Sequence, residues 1–199
     1  MSVMLSVLRR HGATIGHRRG RQVPVHFGSV VTEEAVCRTG VGLVERSDRA
    51  MLELRGAASD VDRALAELSS LAGQAWSLRL GERDAIVRCE AVDEDACVAA
   101  MRRVEDVAIL DVAPDHVALG LVGPRAEAVL QASGIEEQGD ALVVRRDQLG
   151  IELLCARAQG PALWYRLMEA GEPLRIACVG VEAIERLGVS DHLGGSRPS

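Results

Sequence analysis

Aromatic residues are nearly missing from this 199-residue chain: two Trp, one Tyr and one Phe are all there are. A stacking platform for single-stranded nucleic acid needs several rings together, so that function is disfavoured. The charge balance points the same way, with 23 Lys+Arg against 29 Asp+Glu and a net charge of −6. Neither nucleic acid nor an anionic membrane surface is an expected partner, because both call for a basic face. The local exception is His17-Arg18-Arg19-Gly20-Arg21, which reads as a solvated β-turn, with anion binding as the alternative. No apolar run approaches the length of a membrane span. The start, Met1-Ser2-Val3-Met4-Leu5, reads as too short for a secretory leader, and Arg9-Arg10 follows it instead of preceding it.

Metal and nucleophile signatures are also lacking. The five cysteines, Cys37, Cys89, Cys97, Cys155 and Cys178, form no CxxC, and each sits among apolar neighbours. Reduced, buried thiols in a cytoplasmic protein fit that pattern better than disulfides or zinc. The five histidines, His11, His17, His26, His116 and His192, show no ligand spacing, so no metal site is expected. There is no GxSxG elbow and no Cys–His cue, so no catalytic residue is assigned. Gly40-Val41-Gly42 is a fragment of a phosphate loop without its third glycine, and it reads as a plain turn.

Apolar residues, by contrast, make up 48% of the chain, enough for a core without metal or disulfides. Residues 2–11 read as a short amphipathic helix. Residues 13–15 and 22–27 read as strands around the basic turn. Ser29 can cap a helix running to about Thr39, and residues 41–44 read as extended chain. Met51 to Gly56 alternates strictly, the period of a half-buried strand. Ser59 can then cap a helix on which Val61, Leu65 and Leu68 share a face. Strands over 76–80 and 85–89, a helix over 93–103 and a strand over 107–112 complete β-α-β-β-α-β for residues 50–112, a ferredoxin-like order. Leu119-Gly120-Leu121-Val122-Gly123, followed by a helix opened by Pro124, echoes Leu52 to Gly56 and its helix. The echo is either an internal repeat or a common strand–Gly–helix corner. A hairpin over 141–155, a helix from Pro161 to Ala170 and a helix over 179–187 follow. The hairpins predict antiparallel sheets and an α+β class. Gly194 to Ser199 reads as a disordered tail.

The acidic candidates divide by context. Glu45, Asp48 and Glu53 cluster, and paired carboxylates can do acid–base work if burial separates their pKa values; the alternative is that Glu53 is the exposed half of an alternating strand and Asp48 a turn residue. Glu152 is different, because it interrupts the apolar run Gly150-Ile151-Glu152-Leu153-Leu154. It either points to solvent or faces a pocket and meets N–H donors, and one strand's parity cannot choose.

Several pieces, in order, resemble the aminomethyltransferase family of the glycine-cleavage T-protein. They are Leu8, Val23-Pro24-Val25 with Phe27, Glu33, Arg38-Thr39, Gly42-Leu43, Ser47 and Arg55-Gly56. Further on come Leu119 to Leu130 with Gly123-Pro124, Gly150-Ile151-Glu152, and Leu163-Trp164 through Glu169-Ala170-Gly171. The resemblance implies a two-lobed folate-binding domain of α+β class without the family's C-terminal barrel. Its first lobe would be residues 1–49 plus 113–190, its inserted ferredoxin-like lobe 50–112, and its disordered tail 191–199. It implies tetrahydrofolate as cofactor in one-carbon metabolism, with Glu152 meeting adjacent N–H donors of the pterin. The pattern also departs from the family. Glu45-Arg46 and Asp48 replace an Asp and a His, and Asp84 is a poor match to the catalytic Asp. Gly180-Val181-Glu182-Ala183 replaces a cation by an anion, and Ile151 replaces a Tyr. These departures imply a degenerate catalytic site. The chain is also similar to the γ subunit of heterotetrameric sarcosine oxidase. That likeness implies the alternative, a non-catalytic subunit with a larger oxidase or transferase partner chain.

Overall fold

A computed structural model describes residues 3–18, 20–71, 75–89, 93–137, 139–146 and 150–188. The tail expected over 191–199 lies outside the described residues. The chain divides into two compact units, one formed by Met1–Ser47 with Asp115–Val189 and the other containing Asp48–Pro114.

The first unit opens with helix α1 (Val3–Arg10), the strands β1 (Thr14–Arg18) and β2 (Arg21–His26), helix α2 (Val30–Thr39) and strand β3 (Val41–Glu45). After the second unit it resumes with β8 (His116–Val122), α5 (Ala126–Ser133), β9 (Leu142–Arg146) and β10 (Gly150–Ala156). It ends with α6 (Gly160–Gly171), β11 (Ile176–Cys178) and α7 (Val181–Arg186). Strands β11-β3-β8-β10-β9 form a five-stranded sheet. It is antiparallel except for β11, which runs parallel to β3. β11 is too short and too close to α6 to be read from periodicity, so its parallel pairing departs from the expected antiparallel pattern.

Both faces of this sheet carry side chains from helices. Leu8 of α1, Val129 and Leu130 of α5, and Trp164 and Leu167 of α6 pack on Leu43, Leu119, Leu121, Ile151 and Leu153. On the other face Val23 and Val25 of β2, Cys37 of α2 and Ile184 of α7 pack around Val44 and Val122. A strand covered on both faces has no polar side to alternate with. β3 is therefore buried at all five positions.

Local chemistry explains the joints. The Ser29 side chain accepts the Thr32 N–H at 3.4 Å and caps α2. Glu33, only 5% exposed, accepts the N–H of Phe27 at 2.7 Å and of Gly180 at 2.8 Å. One carboxylate thus ties the exit of β2 to the start of α7. Gly123 lies at φ +133°, and a Cβ there would stand 2.4 Å from the Gly40 carbonyl oxygen. Only glycine fits that corner.

The second unit runs β4 (Ala50–Gly56), α3 (Ala58–Ser69), β5 (Ala75–Arg79), β6 (Asp84–Cys89), α4 (Glu94–Met101) and β7 (Val107–Asp111). Its sheet has the order β5-β6-β4-β7, antiparallel throughout. This is the ferredoxin-like arrangement expected of β-α-β-β-α-β. Ala50, Leu52, Leu54, Ala85 and Val87 join Val61, Ala64, Leu68 and Met101 in one core. That core occupies the helix-bearing face, while β6 is buried at five of its six positions, Ile86 and Arg88 of the other face included.

Two helix starts differ from expectation. α3 begins after Ala57, leaving Ser59 inside the helix with no capping role. α5 begins at Ala126, two residues beyond Pro124. In both, the residue at the N-cap makes no side-chain capping bond, so a local capping preference of about 1 kcal/mol does not set the start.

Candidate functional site

The registers of the five-stranded sheet place Glu152. On β10, Ile151, Leu153 and Cys155 point into the core under α1, α5 and α6. Glu152 and Leu154 therefore take the opposite face. Glu152 is paired with Gly120 on β8 and Val144 on β9, and Gly120 in turn with Val44 on β3. The row across that face reads Val144, Glu152, Gly120, Val44. Glu152 is 6% exposed, so of the two readings open in the sequence, the solvent-facing one does not hold. Its neighbour on β8 has no side chain, and the Val44 side chain fills the space above it. A Cβ at Gly120 would meet Val44 Cγ1 at 2.8 Å and Arg46 Cγ at 3.9 Å.

Gly150, the first residue of the same short motif, holds φ +107°. A Cβ there would lie 1.9 Å from the Leu121 carbonyl oxygen. The glycine thus lets β10 close against β8 and fixes the register that turns Glu152 inward.

The other acidic positions divide differently. Glu45 is buried and pairs with Leu119, a register position on the opposite face from Glu152. Its carboxylate accepts the Ser47 N–H at 3.1 Å, and the Ser47 hydroxyl accepts the Ala118 N–H at 3.4 Å. These bonds shape the end of β3. Asp48 falls in the second unit. Glu53 is bound by Arg55 through Nε at 2.8 Å and Nη2 at 2.9 Å. Asp84 opens β6, where its backbone carbonyl accepts the Leu80 N–H at 3.0 Å. Glu182 takes an ion pair from Arg18 at 3.0 Å, so one arginine of the basic turn is committed to α7.

The sequence reading missed the buried arginines. Arg46 is 9% exposed and lies in the first unit, one register row from Glu152. Arg49 and Arg88 are buried in the second unit. Arg88 Nη1 donates to the Arg49 carbonyl at 3.3 Å and to the Ala50 carbonyl at 3.5 Å. A signal existed: Arg88 interrupts Ala85-Ile86-Val87-Arg88-Cys89 just as Glu152 interrupts its own strand.

The thiols are free and buried, except Cys178, which is half-buried. Burial, reinforced by the nearby Glu33 carboxylate, pushes the Cys37 thiol up to about 12. Burial alone takes Cys155 to about 11. Neither is a nucleophile at neutral pH. Among the described residues no group of three or more His, Cys, Asp or Glu is arranged to hold a metal. Nor is any described helix long and apolar enough to cross a membrane.

Two sheets in this order, with a ferredoxin-like unit between β3 and β8, make an α+β chain of the glycine-cleavage T-protein fold. The crystal structure of glycine cleavage system aminomethyltransferase T from Bartonella henselae superposes with a TM-score of 0.73 at 20% identity, covering 90% of this chain and 59% of that one. A chain of heterotetrameric sarcosine oxidase from Corynebacterium, solved with pyrrole 2-carboxylate, superposes with a TM-score of 0.56 at 18% identity, covering 74% of this chain and 93% of that one.

In sequence the chain is similar to aminomethyltransferases. It is 23% identical over 225 residues to that of Halalkalibacterium halodurans, covering 92% of this chain and 62% of the relative. It is 29% identical over 206 residues to that of Rubrobacter xylanophilus, covering 82% and 55%. The chain thus spans somewhat over half the length of the curated relatives it matches. No family model matches it.

Proposed function

We propose that the chain is a folate-binding, aminomethyltransferase-like protein of one-carbon metabolism, with Glu152 holding the ring of tetrahydrofolate. The observation that carries this reading is the inward-turned Glu152 on an inner strand, 6% exposed and next to a glycine, in a chain with the T-protein fold. A pterin offers adjacent N–H donors, and a carboxylate can accept two of them at once. The aliphatic neighbours Val44, Val144 and Leu154 would bracket a flat ring without aromatic stacking.

The catalytic site is read as degenerate. Asp84, the nearest counterpart to a catalytic Asp, belongs to the second unit's β6. Glu182, standing where a cation is expected, is occupied with Arg18. No residue of this chain is given a catalytic role. Equilibrium titration with tetrahydrofolate tests the binding. The wild type is expected to bind one equivalent, and Glu152→Ala to bind at least about tenfold more weakly. A wild type that takes up no folate removes the reading.

One observation favours a second reading. The sarcosine oxidase chain is covered over 93% of its length, whereas the aminomethyltransferases are covered over little more than half. On this reading the chain is a γ-type, non-catalytic subunit of an oxidase-like complex. Isolation from its native host with a larger flavin-containing chain in fixed stoichiometry would support it. A monomer that binds folate unaided would count against it.

A further inference from the structure

We propose that Arg46 is a second ligand-reading residue of the Glu152 site, and that the pair selects a ring edge with N–H donors beside a carbonyl acceptor, the 2-amino-4-oxo edge of a pterin. The inference rests on the folate reading above and names what decides specificity within it. Arg46 continues β3 past its last residue, where its N–H donates to the Ala118 carbonyl at 2.8 Å. Ala118 is in turn paired with Leu154 on β10. Arg46 therefore stands two strands from β10 and one row beyond the row of Glu152. Its side chain is on the Glu152 face. Cross-strand partners point to the same side of a sheet, so the missing Cβ of Gly120 marks that face. Arg46 Cγ lies 3.9 Å from where that Cβ would be. The stem thus leans over β8, towards β10. On these three strands the same two rows otherwise hold Val44, Gly120, Ala118 and Leu154, none of which carries a charge. Arg46 is 9% exposed and Glu152 6%.

Two buried charges of opposite sign on one face set a demand on any ligand there. A guanidinium only donates hydrogen bonds, and an ionised carboxylate only accepts them. A ring edge that meets both must therefore carry donors next to an acceptor. Strands lie about 4.8 Å apart, so the backbones of the two residues are about 10 Å apart across the sheet. The long arginine stem takes up much of that span, which leaves a separation suited to one edge of a small ring. On tetrahydrofolate the 2-amino group and N3–H would donate to Glu152, and the neighbouring 4-oxo oxygen would accept from Arg46. Replacement of that oxygen by an amino group reverses the match. The 4-amino group turns a donor towards the guanidinium, and N3 loses the hydrogen that the carboxylate accepts. A buried polar group left facing its own kind is costly, which is how such a site rejects a close analogue.

Tetrahydrofolate and its 4-amino analogue, each titrated calorimetrically into the full chain, test the inference. The wild type is expected to bind tetrahydrofolate at least about tenfold more tightly than the 4-amino analogue. Arg46→Met keeps the stem and removes the donors. It should weaken tetrahydrofolate about tenfold and leave the analogue within about threefold, so the preference narrows. Arg46→Lys, which restores a donor, should recover part of it. The wild-type comparison needs no substitution, so it can overturn the inference even if Arg46→Met does not fold. A wild type that binds both compounds alike, or a folded Arg46→Met that keeps the full preference, would overturn the inference while folate binding stands. A wild type that binds neither compound would remove the folate reading itself, and the inference with it.

Discussion

The two larger sheets handle burial differently. The four-stranded sheet of the second unit packs its helices on one face. β4 keeps part of the alternation that the periodicity of Met51 to Gly56 predicts, with Glu53 and Arg55 its more exposed side chains, whereas β6 is buried at five of its six positions. The five-stranded sheet of the first unit is packed on both faces, and its strands β3, β8 and β10 read as nearly continuous apolar runs. Buried carboxylates follow the same division, buried arginines do not. Among the described residues the buried carboxylates Glu33, Glu45 and Glu152 belong to the first unit together with the buried Arg46, while Arg49 and Arg88 belong to the second. A polar residue in a one-faced sheet can be solvated at no cost. In a two-faced sheet it must be held by designed partners, because an unmet buried group costs about 1–3 kcal/mol or more. The same demand falls on Arg88 of the second sheet, which is fully buried and donates to the Arg49 and Ala50 carbonyls.

The comparison breaks most sharply at Gly150. Gly150→Ala forces a Cβ into a backbone carbonyl at a positive φ, and it should destabilise the first unit by about 3–5 kcal/mol. Trp164 fluorescence should show the loss at lower urea. An unshifted midpoint would mean the strand closes against β8 differently. Matched core truncations sharpen the contrast. Leu119→Ala and Leu54→Ala, each fully buried in its own unit, should each cost about 2–4 kcal/mol. Leu119→Ala should act first on the Trp164 signal and Leu54→Ala first on the Trp76 signal. If both tryptophans shift identically for both variants, the division into two units has no energetic counterpart.

A smaller effect is expected at Glu33. Glu33→Ala leaves the Phe27 and Gly180 N–H groups without their acceptor and should cost about 2–3 kcal/mol, with Glu33→Gln recovering part of it. Equal stability of all three proteins in urea would show that the carboxylate is dispensable to the joint. The smallest effect lies on the surface. Arg166 donates to Asp140 at 2.6 Å and to the Ser133 carbonyl at 2.7 Å, closing the end of α5. The Arg166 hydrogen bond holds the Asp140 carboxyl below its usual range. A depressed folded-state value means the stabilisation is present above the unfolded carboxyl value of about 3.9 and is lost as pH falls below it. Asp140→Asn should therefore lower stability slightly at neutral pH, leave it unchanged at low pH, and so flatten the acid limb of the stability curve. An acid limb identical to the wild type would assign no role to the pair.

Legibility in the sequence divided along the same line. The second unit could be written out strand by strand from alternation, and its order β5-β6-β4-β7 followed. In the first unit α2, with its Ser29 cap, and the hairpin of β9 and β10 were readable, but β11 was not. Three residues beside a helix carry no period. The helix starts at Ser59 and Pro124 were misplaced because no side-chain capping bond sets either start. Glu152 was visible as an interruption, yet its direction was not. That needed the register with Gly120, a long-range pairing that no single strand encodes. Arg88 carried the same kind of signal and was overlooked, since arginine in a strand reads by default as a surface residue.

The claim on which the functional account rests is that the Glu152 charge recognises a reduced folate. Tetrahydrofolate titrated calorimetrically into the wild type and into Glu152→Gln, which keeps the shape and removes the charge, tests it most directly. One equivalent bound by the wild type, weakened about tenfold or more in the variant, is the predicted result. Identical isotherms for the two proteins, or no heat with the wild type, would contradict it.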